Sequence, residues 1–172
     1  MSTDPAYIKR LYQDAVTATR GSGLFPEVLV SQHILESGMK LSSLARNANN
    51  FFGIKSGSRW TGPVISAPTT EFVNDQPVRI GGNWKRYANR TEALRDKVDP
   101  ASLFRVYATP ADGLRGWVEF LQSNQRYTTA GVFAAKNPVE QFAALKRAGY
   151  ATDPRYLEKL TAIYNNVKSF FF

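Results

Sequence analysis

The sequence has no cysteine and a single histidine, His33. Without cysteine there is no disulfide framework, no thiol nucleophile and no thiolate zinc site. One histidine excludes multi-histidine metal sites, and it admits a Ser-His-Asp triad only if His33 is the member. No apolar run approaches the roughly 18 residues that a membrane span requires, so no membrane span is expected. Low-complexity stretches and collagen-like periods are missing as well, and a hydrophobic content of 43% with 13% aromatics excludes disorder. No metal and no cofactor is expected. Carboxylates and tyrosines are left to carry catalysis.

A length of 172 residues suits one compact domain over 1–172. Lys and Arg number 22 against 14 Asp and Glu, a formal charge of +8. Such a surplus favours a polyanionic partner: nucleic acid, an anionic membrane face or the bacterial wall. The basic residues are spread along the chain, with no basic arm, no helix-turn-helix and no RNA-binding aromatic sheet motif. Charge therefore sets a preference for anions and names none of them. Met1-Ser2-Thr3-Asp4-Pro5 lacks the charged and apolar regions of a secretory signal. The expectation is a protein that stays inside or leaves by a route that reads no such signal.

Asp4-Pro5 predicts a helix start, with Asp as cap and Pro at the first helical position. Ile8, Leu11, Tyr12 and Ala15 continue it at helical spacing until Gly21 and Gly23. A second helix is predicted from Pro26 to Ser37-Gly38, apolar on nearly all sides and therefore buried. A short third helix holds Leu44, Ala45 and Ala48. From Gly53 to Tyr87 the pattern turns to short strands around Val64, Thr69 to Val73 and Pro77 to Ile80, and Asn74-Asp75 reads as a hairpin turn. A charged helix is predicted between Asn89 and Val98. Leu114, Trp117, Val118 and Leu121 then open a helical stretch carried on by Phe142, Leu145, Tyr156, Leu160 and Ile163. Asp153-Pro154 repeats the opening device of Asp4-Pro5. The outline is α+β: a helical body with a β excursion in its middle.

Glu36 stands in the last turn of the most apolar helix, on one face with Leu29, Gln32 and His33. Burial and the negative end of the helix dipole both disfavour its charged form, which raises its pKa. A raised carboxyl is what a general acid needs. Taken alone, the same residue reads better as an ordinary exposed helix-end glutamate, and His33 as a packed or partly exposed residue with no catalytic part.

The neighbouring strings decide between these readings. Ile34-Leu35-Glu36-Ser37-Gly38, Leu44-Ala45-Arg46-Asn47 and Asn49-Asn50-Phe51-Phe52-Gly53-Ile54-Lys55 are followed by Thr70-Glu71-Phe72 and Phe104-Arg105-Val106-Tyr107. Asn124-Gln125-Arg126-Tyr127 and Gly149-Tyr150-Ala151-Thr152-Asp153-Pro154 complete the set. In this order they resemble the family 73 glycoside hydrolases, peptidoglycan N-acetylglucosaminidases related to the flagellar rod enzyme. The resemblance implies a lysozyme-like fold, a helical body and a small β lobe flanking a substrate cleft. It places the general acid on Glu36, a second carboxylate on Glu71 and the family's important tyrosine on Tyr150. Asn50 and Phe52 would shape the cleft floor, and Tyr127 would stack on a sugar or support the core. On the residues themselves, Phe51 and Phe52 also read as core, Gly53 as a turn and Glu71 as a surface strand residue.

The implied reaction is hydrolysis of the β-1,4 bond after N-acetylglucosamine in peptidoglycan glycan strands, with Glu36 protonating the leaving oxygen. Three completions stand open. Glu71 activates water for inversion, a covalent route operates, or the substrate's acetamido group assists. A lytic transglycosylase of the same fold and a non-catalytic basic module binding wall or nucleic acid are the alternatives. Met39 stands where the family has an aromatic residue, and Gly116 where it has an acid. The stretch 81–103, with Trp84, Arg86, Tyr87, Arg90 and Arg95, exceeds the family's short β lobe. It reads as an insertion, either a flap or wall contact or a solvated excursion. Phe170-Phe171-Phe172 is expected to dock on the body. Action is expected at the bacterial wall, in the periplasm or outside, after non-Sec export or lysis. A phage lysis enzyme, a secreted antibacterial effector with an immunity protein and a piece of a longer protein all fit, and neighbouring genes would separate them.

Overall fold

Asp4 caps the first helix as its chemistry dictates, its carboxylate accepting the Ala6 N–H at 2.9 Å while Pro5 forgoes a bond that no partner would fill. The computed structural model describes residues 4–38, 41–74 and 76–172. Its helices are α1 (Pro5–Thr19), α2 (Pro26–Ser37), α3 (Ser43–Ala48), α4 (Arg90–Arg95), α5 (Pro110–Ser123), α6 (Gln125–Thr129), α7 (Pro138–Arg147) and α8 (Tyr156–Val167). Its strands are β1 (Val64–Ser66), β2 (Thr69–Val73), β3 (Gln76–Ile80), β4 (Arg86–Tyr87) and β5 (Leu103–Arg105). The α+β expectation holds. Among the described residues no helix is long and apolar enough to cross a membrane. Met39 and Asp75, on which two of the readings above fall, lie outside the described residues.

Contacts divide the chain into two compact units. The first, Met1–Lys40 with Leu114–Phe172, is helical. Helix α2 touches α1, α7 and α8, and its residues from Val28 to Ile34 are all buried, as its unbroken apolar pattern predicts. Ile8, Leu29, Trp117, Leu121, Phe142, Leu145 and Leu160 complete this core. Gly116 lies buried within α5. Phe171 docks on the unit, stacked on Tyr12 at 4.4 Å, whereas Phe172 is 90% exposed.

One expected helix start is corrected. Asp153-Pro154 does not open α8, which begins at Tyr156. The Asp153 carboxylate instead accepts the Arg155 N–H at 2.9 Å and pairs with Lys159 at 2.5 Å, so it closes the turn that precedes the helix.

The second unit, Leu41–Gly113, carries all five strands of the described chain. Strand β1 is central in an antiparallel sheet of order β4-β1-β5, and β2 pairs with β3 as a separate hairpin. Asn74, at φ 51, takes the left-handed conformation that the hairpin turn uses. The stretch 81–103 is mostly exposed, as the solvated reading expects, but it is anchored. It supplies β4, and Tyr87 and Ala93 from it are buried with Val64 and Leu103. Trp84 on the same stretch stays 41% exposed.

Candidate active site

Helix α2 carries Glu36 to its last turn and stops there because Gly38 adopts φ 72. The helix is buried, but the Glu36 side chain itself emerges, so the expected burial of this residue is corrected to an exposed position on a buried helix. Its carboxyl nevertheless lies against enough protein to raise its pKa from 4.5 to about 6, by desolvation.

Tyr150 is placed by the end of α7. The Gly149 N–H bonds the Lys146 carbonyl and the Tyr150 N–H bonds the Leu145 carbonyl, with Gly149 at φ 74. This paired pattern is a Schellman cap, which reverses the chain and turns Tyr150 back toward the unit. The Tyr150 ring stacks on Tyr156 at 5.9 Å and lies 6.1 Å from Tyr127. Burial, then electrostatic repulsion from its neighbours Tyr156 and Glu36, lifts the Tyr150 phenol well above its usual 10, and Tyr156 is raised by burial and Glu36 too. Both rings therefore carry un-ionised hydroxyls. Leu35, Glu36, Tyr150, Ala151, Thr152, Asp153 and Tyr156 line a single open cavity of about 450 Å³. A protonated carboxyl with two phenols beside it can donate protons and hydrogen bonds to a sugar ring.

Behind this cavity sits a polar group that sequence reasoning did not single out. Gln32 is fully buried, accepts from the Trp117 indole at 2.7 Å and donates to the Tyr156 hydroxyl at 2.5 Å. The available signal was its place one turn before Glu36 on the same face. His33 is buried beside it, and desolvation lowers its pKa from 6.5 to about 4. It remains a packed neutral residue.

Glu71 lies on β2 in the second unit, bound to Lys55 at 2.7 Å and roughly as exposed as its partner, 39% against 36%. Lys55 also donates to Thr69 and sits 4.2 Å above the Phe104 ring. Sequence reasoning quoted Lys55 within a string without seeing that it anchors this carboxylate.

Three expected binding residues are corrected. Asn50 is 1% exposed, and its amide spans the Ile54 N–H, the Ile54 carbonyl and the Arg105 carbonyl at 2.9, 2.9 and 3.0 Å. It braces a turn. Phe52 is buried with its ring edge-on to Phe51 at 6.4 Å, which makes it core. Tyr127 is fully buried, its hydroxyl held by Arg126 at 2.7 Å, so it supports the core and offers no face to a sugar.

A family model described as Glucosaminidase, mannosyl-glycoprotein endo-beta-N-acetylglucosaminidase, matches residues 12–169. The chain belongs to the glucosaminidase family. A curated relative, the peptidoglycan hydrolase FlgJ of Escherichia coli K12, is 31% identical over 95% of this chain and 47% of its own length. The chain thus spans about half the length of the FlgJ relatives it matches. Among solved structures, the truncated glycoside hydrolase domain of Salmonella typhimurium FlgJ superposes with a TM-score of 0.68 at 31% identity, covering 96% of this chain and 99% of that one. A peptidoglycan hydrolase mutant from Sphingomonas sp. A1 gives 0.70 at 26% identity over 97% of each chain. Family membership covers both units, since the matched residues run through each of them.

Proposed function

We propose that this chain is a peptidoglycan hydrolase that cleaves the β-1,4 bond after N-acetylglucosamine in bacterial glycan strands, with Glu36 as the general acid. The observation that carries this reading is the Glu36 carboxyl, held at a pKa of about 6 on the rim of a cavity shared with Tyr150 and Tyr156. Near neutral pH a fraction of it keeps the proton that the leaving oxygen requires. Tyr150, un-ionised, donates a hydrogen bond to the sugar as positive charge develops at the reacting carbon. Glu71, oriented by Lys55, is the second carboxylate of the reaction. The relatives named for peptidoglycan hydrolysis support the substrate class, and the +8 charge suits an anionic wall. The site of action is the bacterial wall. We read 1–172 as one catalytic domain with an insertion at 81–103.

The Glu36→Gln variant tests the assignment. Release of soluble fragments from purified wall should fall roughly 10²–10⁴-fold, with the circular dichroism spectrum unchanged. Wild-type lysis by this variant would sink the proposal. Mass spectrometry of the digest reads the chemistry directly. Hydrolysis leaves reducing N-acetylglucosamine ends, whereas 1,6-anhydro-N-acetylmuramic acid ends would assign a transglycosylase instead.

A further inference from the structure

Gln32 is fully buried, and both ends of its carboxamide are engaged. The Trp117 indole nitrogen can only donate, so the atom facing it at 2.7 Å must be the Gln32 oxygen. The reversed amide would set two donors against each other. Fixing the oxygen also fixes the nitrogen, which donates to the Tyr156 hydroxyl at 2.5 Å. A phenol has one proton. With Gln32 Nε2 donating into its oxygen, that proton cannot point back at Gln32.

Tyr156 is only 2% exposed, but unlike Tyr127 it lines the cavity that holds Glu36 and Tyr150 with the little surface it keeps. Burial keeps its phenol un-ionised, so the proton is available throughout the working pH range. A methionine or leucine would fill the place of Gln32 with no demand for partners, and burying an amide is costly unless it is hydrogen-bonded. Trp117, itself fully buried, leaves the amide no freedom to turn.

We propose that Gln32 is a positioning residue, which holds the Tyr156 hydroxyl so that its proton is presented to an oxygen of the sugar bound beside Glu36. Tyr156 is then a substrate-binding hydrogen-bond donor, and Gln32 acts through it. This rests on the hydrolase reading above.

The discriminating variant is Gln32→Met, which fills the same buried volume, takes away the donor to Tyr156 and leaves its hydroxyl proton free to turn away from the cavity. Tyr156→Phe removes the proton altogether. Steady-state kinetics on solubilised glycan strands should show kcat/KM lower by about tenfold in each variant, the worth of one hydrogen bond to substrate. The loss should divide between kcat and KM in the same way in both. The combined variant should be no slower than the slower single one.

Wild-type kcat/KM in Gln32→Met, or losses that multiply in the combined variant, would overturn the proposal, because a merely structural Gln32 acts independently of the Tyr156 hydroxyl. If Gln32→Met does not fold, Gln32→Leu serves in the same cycle. Its loss must vanish in the Tyr156→Phe background, and persistence there overturns the proposal. Failure of the underlying reading is seen separately, as fragment release retained by Glu36→Gln.

Discussion

A carboxyl with a pKa near 6 makes activity a function of pH with a definite sign. The acid works only when protonated, so the rate declines by a factor of about ten per pH unit above the Glu36 pKa. Initial rates of fragment release between about pH 5 and 8 check this, and a flat profile would exclude Glu36 as the acid. His33 gives the opposite sign, and in stability rather than rate. Its pKa falls from 6.5 to about 4 on folding, so the native state binds fewer protons than the unfolded chain. Its stabilising contribution is complete above the unfolded pKa and is lost as pH falls toward the folded one. Urea unfolding at about pH 7 and about pH 4.5 should show the wild type losing about 2 kcal/mol more than His33→Gln. The place of Glu36 at the end of a buried helix was legible in the sequence, because helical spacing and the Gly38 stop are local signals, whereas the exposure of its side chain was not. Asn50 was misread for a complementary reason, and of the two readings of Tyr127 the core one holds. A short recurring string marks a residue that the fold needs, but it does not say whether that residue faces a ligand or, like Asn50, the backbone.

At the scale of the element, the end of α7 links backbone conformation to the site. Gly149 has φ 74 with no atom near a would-be Cβ, so Gly149→Ala meets no clash and only the strain of a left-handed alanine, about 1–2 kcal/mol. Because that turn sets Tyr150, fragment release should fall further than the change in thermal midpoint accounts for. Asn50→Ala should act on stability, at a cost of about 3 kcal/mol, since it strips three buried backbone groups of their partner. Chemical denaturation measures it. Helices α1 to α3 and the β2-β3 hairpin were readable because their signals are local: caps, glycines and a turn. Strands β4 and β5 were not, since each is held by pairing with β1, a partner outside its own stretch of chain. The start of α8 was misplaced because Asp153-Pro154 satisfies a turn as readily as a helix.

For the whole molecule, a charge of +8 predicts wall binding that weakens with salt. Screening lengths shrink from about 10 Å at 0.1 M to about 3 Å at 1 M, so co-sedimentation with purified wall should decline across that range. Salt-independent sedimentation would show that charge plays no part. The expectation of a polyanionic partner came from composition, whereas the family required the ordered strings from Ile34 to Pro154. The helical unit also has a consequence in time. It is assembled from both ends of the sequence, Met1–Lys40 and Leu114–Phe172. Gln32 and Tyr156, the two ends of one hydrogen bond, are separated by 124 residues. During synthesis α2 emerges early, yet the helices that cover it, α7 and α8, leave the ribosome more than 100 residues later. The nascent chain therefore carries Glu36 before the residues from Tyr150 to Tyr156 that line its cavity exist, and that cavity closes only when the later helices dock.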